Sequence, residues 1–201
     1  MNELGMHDLS EAGYGTLVLL VGPSGSGKDS VLNYARETLK DDPRILFVRR
    51  CITRSNGDPS EDHESMSVAA FQKAEMQGQF VISWGAHGLY YGLPASLLAH
   101  LQTGGVAIAN GSRKTIPVLR DQFPHFHVIN LTVEPDILVQ RLSARGRENA
   151  DEIRQRIART KKLEAEDLFD EETIHLDNSG DIEAAGQVFV DMLLDWAENP
   201  A

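Results

Sequence analysis

Apolar runs and helical patterns alternate along the chain from residue 16 to residue 196. The run TLVLLV at 16–21 has the length and continuity of a strand buried on both faces. A Gly-rich turn follows, then a helical stretch from about Lys28 to Leu39. ILFV at 45–48 reads as a second strand, and the polar, turn-rich segment TRSNGDPSEDHES at 53–65 as a loop. Ser67 can cap a short helix through Met76, with Gly78 past its end. FVISW at 80–84 is a short strand, and Pro94 suits the first turn of a helix to about Leu101. GVAIAN at 105–110, a helix near 113–122, HVINLTV at 127–133 and a helix from Pro135 to about Arg145 come next. Residues 151–168 are helical by charge, acids first and bases later, as the helix dipole favours. TIHL at 173–176 is the last strand and 182–196 a closing amphipathic helix. Strands alternating with crossover helices predict an α/β fold whose parallel sheet is covered on both faces.

A chain of 201 residues suffices for one such domain, expected over 16–201 behind a polar lead-in at 1–15. Composition is that of a globular protein, 41% hydrophobic and 24% charged. No apolar run reaches the length of a membrane span, and the first residues lack the pattern of a secretory signal. The single cysteine, Cys51, cannot form an internal disulfide, so a reducing cytoplasm is the expected location. A net charge of −11 argues against nucleic acid or an anionic membrane as partner. The charge is uneven, however. Residues 141–162 hold eight bases and three acids, a net of +5 that leaves −16 for the remainder. A cationic island in an acidic chain points to a small anionic ligand. Oligomeric state is left open.

The chemistry is concentrated first in Gly22-Pro23-Ser24-Gly25-Ser26-Gly27-Lys28, placed between an apolar strand and a helix. This is the pattern G-x-x-x-x-G-K in the context it requires. The glycines let successive backbone N–H groups turn inward toward phosphate oxygens. The helix N-terminus adds positive potential, and Lys28 brings a mobile cation to the β and γ phosphates. ATP with Mg²⁺ is the expected ligand pair. The hydroxyl residue usual after the lysine is replaced by Asp29, with Ser30 one place later. Either Ser30 takes over the Mg²⁺ contact, or Asp29 reaches the ion's hydration shell. Asp29 would also suit a helix's first turn with no metal role.

GPSGSGK, ITR at 52–54, GQFVISWGAHGLYYG at 78–92 and RLSARGRENADEIRQR at 141–156 resemble the guanylate kinase fold family in order and spacing. The resemblance covers about residues 16–196. It implies a P-loop NTPase core with an acceptor-binding region near 49–93 and a lid near 141–156. It places Arg145 and Arg156 at the lid-arginine positions with Arg147 close by, so that Lys28 and these arginines would neutralise the transferred phosphoryl group. It also places Arg54 and Tyr91 where the family grips the acceptor's phosphate, and Asn178 where it contacts adenine. Taken by themselves, the basic run could be a solvated helix face and Asn178-Ser179-Gly180 a plain turn.

The departures lie on the acceptor side. The stretch 80–84 has no acid to read guanine, Leu93 stands where a threonine follows YG, and the tyrosine expected near Asp62-His63 is missing. No aspartate occurs in 107–111. A site that loses its hydrogen-bonding partners loses its discrimination for a base. Arginines are supplied instead, at 49, 50 and 113, with Lys114 beside the last. GPSGSGKDS, ITRSNGDPSEDH, GLYYGLP and NGSR together resemble one branch, the ribose 1,5-bisphosphate phosphokinases of phosphonate degradation. That resemblance implies transfer from ATP to a baseless sugar bisphosphate, giving 5-phosphoribosyl 1-diphosphate (PRPP). Arg50, Arg54, Asp62, His63, Tyr91 and Arg113 become the candidate substrate residues. The nucleophile would be an already ionised phosphate oxygen, so no general base is needed. A nucleoside monophosphate kinase and a non-catalytic interaction module are the competing readings. Glu61 and His87 stay open between ribose contacts and ordinary loop residues, and Cys51 reads as a packed residue.

Overall fold

The computed structural model describes residues 14–54, 62–145 and 169–199. Among them, five parallel strands form a sheet in the order β2-β7-β1-β8-β9. These are β1 (Thr16–Val21), β2 (Ile45–Phe47), β7 (Val106–Asn110), β8 (Phe126–Thr132) and β9 (Ile174–Asp177). Strand β1 is buried at every position because it lies at the centre with helices on both sides. Alternation along it sends Val18 and Leu20 to one face and Leu17, Leu19 and Val21 to the other. On the first face they meet α1 (Lys28–Thr38) and α6 (Ile182–Glu198) through Val31, Ala35, Phe189 and Leu193. On the second they meet α3 (Leu97–Leu101) and α4 (Ile116–Gln122). The doubly covered parallel sheet predicted from alternation is the observed core.

The second sheet was not legible as such. Strands β3 (Arg50–Ile52), β4 (His63–Ser65), β5 (Phe80–Ala86) and β6 (Leu89–Pro94) assemble in the order β4-β3-β6-β5, with α2 (Val68–Met76) against it. Residues 63–65 belong to a strand rather than the predicted loop. Pro94 ends β6 instead of opening a helix, since α3 begins only at Leu97. His87 and Gly88 form the turn between β5 and β6 with φ of 53° and 74°. Positive φ at both central residues is the geometry that matches hairpin twist. His87 therefore serves the turn.

Tyr14 and Gly15, assigned to the lead-in from sequence, are packed: Tyr14 is buried and the Gly15 amide donates to the Leu101 carbonyl at 2.7 Å. The 113–122 helix begins as a 3-10 turn at Arg113–Thr115, and α5 spans Pro135–Arg145. The helix predicted over 151–168 lies outside the described residues, as does the lead-in before Tyr14. No described helix is long and apolar enough to cross a membrane.

Candidate active site

The loop between β1 and α1 has the curled backbone that its glycines permit. Gly22, Gly25 and Gly27 hold φ of 151°, 93° and 91°. At Gly27 the restriction is steric as well, since a side chain there would run into the Asn178 amide. Asn178 braces the loop from the end of β9: its Nδ2 donates to the Ser26 carbonyl at 2.7 Å. The position assigned by resemblance to an adenine contact thus uses its amide nitrogen to support the loop. From the other side Leu138 and Leu142 of α5 close over Gly25. Ser24 is exposed while Pro23 and Ser26 are buried.

Orphaned polar atoms collect around this loop. Ser26 Oγ, Asn178 Oδ1 and Arg141 Nη1 are buried with no hydrogen-bond partner. Arg141 Nη1 lies 3.8 Å from where a Gly27 Cβ would be, and its Nη2 donates to the Gly180 carbonyl at 3.4 Å. Buried polar groups without partners are rare enough to mark a place where a polar ligand belongs. The left-handed loop, the Ser26 hydroxyl and Arg141 Nη1 fit a nucleotide phosphate, whereas Asn178 Oδ1 can only accept from a donor. Arg141 was counted in the basic island but not singled out as a site residue, because nothing in a charge run says which member turns inward.

Lys28 at the start of α1 donates through Nζ to the carbonyls of Gly22 and Pro23, each at 2.9 Å. Beside it Asp29 is half-buried and Ser30 is exposed. Asp29 Oδ1 accepts from Asn110 Nδ2 at 3.1 Å, which ties the helix start to the end of β7. A hydroxyl and a carboxylate on the first turn are hard oxygen donors of the kind Mg²⁺ takes beside substrate phosphates. No group of three His, Cys, Asp or Glu able to hold a metal occurs among the described residues. A phosphate-borne Mg²⁺ needs no such cage. Of the lid, the Arg145 backbone closes α5, while Arg147 and Arg156 lie outside the described residues.

The residues that the resemblance assigns to the acceptor lie on and beside the small sheet. Alternation along β3 puts Cys51 under α2 with Phe71 and Phe80, and Arg50 and Ile52 on the opposite face. The Arg50 guanidinium lies 5.3 Å from the Tyr91 ring centroid and 6.0 Å from that of Trp84. Those two rings stack at 5.5 Å, so a cation only 8% exposed is held against an aromatic wall. Arg50 also lines a cleft against α1, together with Asp29, Arg36, Asp62 and Asn110. The first turns of α1 and the start of β3 therefore face each other across it. Arg54 follows directly on Thr53, whose backbone amide pairs with the Tyr90 carbonyl at 3.0 Å. Asp62 accepts from Arg49 Nε at 2.8 Å, and His63 Nε2 lies 3.1 Å from Ser65 Oγ. Burial, with Glu64 second, pushes the Cys51 thiol up to about 11, which keeps it protonated and unreactive.

Arg113 faces elsewhere. It is buried, donates to Asn130 Oδ1 at 3.2 Å and sits 5.1 Å from the Phe169 ring. It packs where the sheet meets Phe169. A cavity of about 720 Å³ lies alongside, between α4 and residues 169–171. No loop residue lines it, and its one cation, Arg120, is already paired with Asp170.

No family model matches the chain. Among curated proteins, it is 44% identical over 177 residues to the ribose 1,5-bisphosphate phosphokinase PhnN of Agrobacterium fabrum, covering 88% of this chain and 95% of that one. The protein of the same name from Acidiphilium cryptum is 44% identical over 187 residues, 92% and 96% of the two chains. A bifunctional ribose 1,5-bisphosphokinase-thymidine phosphorylase of Cupriavidus pinatubonensis is 51% identical over 145 residues. That match covers 72% of this chain, which spans only about a quarter (24%) of the bifunctional protein's length. Among solved structures, guanylate kinase from Anaplasma phagocytophilum superposes with a TM-score of 0.66 at 17% identity, covering 94% of this chain and 89% of its own. That likeness carries the fold.

Proposed function

This chain belongs to the ribose 1,5-bisphosphate phosphokinase family, and we propose that it transfers the γ-phosphoryl group of ATP to ribose 1,5-bisphosphate, yielding PRPP and ADP. The observation that carries the reading is the Arg50 wall. Where a nucleotide kinase needs hydrogen-bonding groups to read a base, a buried guanidinium faces the cleft, and Leu93 behind it is fully buried in the core. A substrate with two phosphates and no base matches that exchange.

The residues divide the work. Backbone N–H groups of the Gly22–Gly27 turn and the start of α1 cradle the donor phosphates. Lys28 Nζ exchanges the carbonyls of Gly22 and Pro23 for phosphate oxygens, and Arg141 brings a second cation to the loop. Ser30 and Asp29 are the residues that would hold Mg²⁺, which supplies charge neutralisation on the phosphates when bound. Arg50, Arg54 and Tyr91 orient the acceptor so that an ionised phosphate oxygen faces the transferred group. Arg145, Arg147 and Arg156 complete the neutralisation and exclude water. Catalysis is positioning and electrostatics, with no proton to abstract from the nucleophile.

The test is ADP release with ribose 1,5-bisphosphate, GMP, AMP and dTMP as separate acceptors. The expected result is turnover with the sugar bisphosphate and formation of PRPP. Turnover of GMP with none of the sugar bisphosphate would overturn the reading.

A further inference from the structure

Arg36 and Asp62 line the cleft between α1 and the small sheet together with Arg50, and Arg49 reaches Asp62 from its outer side. Arg36 of α1 and Arg49 of the β2–β3 connection converge on this one carboxylate. Asp62 accepts from Arg49 Nε at 2.8 Å, and Arg36 Nη2 lies 3.8 Å from its other oxygen. Both guanidiniums are held in place by further contacts. Arg36 Nη1 donates to Asn33 Oδ1 at 2.9 Å and its head lies 5.6 Å from the Phe47 ring. Arg49 Nη2 donates to the His63 carbonyl at 3.2 Å. Two fixed arginines around a single anion form the usual recognition unit for a phosphate monoester.

Position agrees. Arg36 is eight residues along α1 from Lys28, on the order of 12 Å of helix rise. That is the scale of a pentose carrying a phosphate at each end, with one end at the donor loop. The free volume of the cleft is about 20 Å³, room for about one water. The Asp62 carboxylate stands between the two guanidiniums, so a phosphate approaching them competes with it.

We infer that Arg36 and Arg49 form the subsite for the acceptor's far phosphate, and that Asp62 fills it as an internal stand-in until the substrate arrives. This rests on the sugar-bisphosphate reading and deepens it. It also gives Asp62 a role opposite to that of a ribose-hydroxyl ligand: its carboxylate competes with the substrate rather than binding it.

The experiment compares the full chain with Arg36→Ala, Arg49→Ala and Asp62→Asn. In steady-state kinetics with ribose 1,5-bisphosphate, each arginine variant should raise the acceptor KM roughly ten- to a hundredfold and leave the ATP KM within about twofold. Asp62→Asn should lower the acceptor KM severalfold. Titration with ribose 5-phosphate, which has a single phosphate and accepts nothing at C1, should weaken in the arginine variants and tighten in Asp62→Asn. Unchanged KM and binding in both arginine variants would overturn the subsite, and so would loss of binding in Asp62→Asn. If the parent chain does not turn over ribose 1,5-bisphosphate, the functional reading fails by itself. The ribose 5-phosphate titration then still decides the subsite, through the same directions of change.

Discussion

The two halves of the site are made of different materials. Under the proposed function the donor-side groups are mainly backbone N–H groups, on a loop between a fully buried central strand and a helix packed on it. On the acceptor side they are side chains, mostly arginines, carried by short strands over a core of Cys51, Phe71, Ala74 and Phe80. A backbone site depends on conformation and tolerates few residue types. A side-chain site depends on register and can change its ligand by exchanging a few heads.

That contrast is tested most severely at Lys28, whose charge is held at the loop by the Gly22 and Pro23 carbonyls. Lys28→Ala should lower kcat on the order of 10²–10³-fold while the melting temperature stays within a few degrees of the parent. A loss of fold comparable to the loss of rate would mean that its contacts to Gly22 and Pro23 are structural. Next is Gly27→Ala, which imposes a side chain at φ 91° and pushes on Asn178. The expected cost is about 1–3 kcal/mol of stability in denaturant titration, with a roughly tenfold rise in the ATP KM. If Gly27→Ala disturbed the acceptor KM as much as that of ATP, the two halves would not be separable.

Arg50→Gln makes the converse test. It removes the charge but keeps an amide against Trp84 and Tyr91, so the acceptor KM should rise roughly tenfold with the ATP KM unchanged. Equal effects on both constants would place Arg50 in the donor machinery.

The same difference decides what could be read from the sequence. The donor loop was legible because Gly-x-x-x-x-Gly-Lys encodes backbone conformation, and conformation is written in glycines. The parallel core was legible from runs such as TLVLLV, whose burial on both faces needs no knowledge of partners. Strands of three residues such as β3 and β4 carry too little periodicity to announce themselves, and their pairing is long-range. Arg50 is a candidate in the sequence because base-reading groups are absent around it. Its aromatic wall depends on the Ile52–Tyr91 and Trp84–Tyr91 pairings, which no local pattern shows. Arg113 looked like Arg50 in the sequence, yet it packs against Asn130 and Phe169. A charged residue's direction is a tertiary fact. The same holds for Asn178, where only the fold shows a side chain turned under the loop.

The smallest expected effect falls at Asp29, where the two halves touch. Its carboxylate accepts from Asn110 and lines the cleft that Arg50 also faces, whereas Ser30 is exposed on the first turn of α1. A carboxylate already engaged by an amide can still reach Mg²⁺ through a water, but a hydroxyl on an open face is nearer to the usual arrangement. Ser30→Ala should therefore raise the Mg²⁺ concentration for half-maximal rate severalfold. Asp29→Asn, which retains an oxygen to accept from Asn110, should shift it about twofold or less. Its larger effect should be on the acceptor KM, because a negative charge is removed from a cleft that must admit a bisphosphate. A dominant Mg²⁺ defect in Asp29→Asn would assign the aspartate to the donor half and the metal. A dominant acceptor effect would make the departure from the usual phosphate-loop pattern part of the acceptor site, reached from the donor helix.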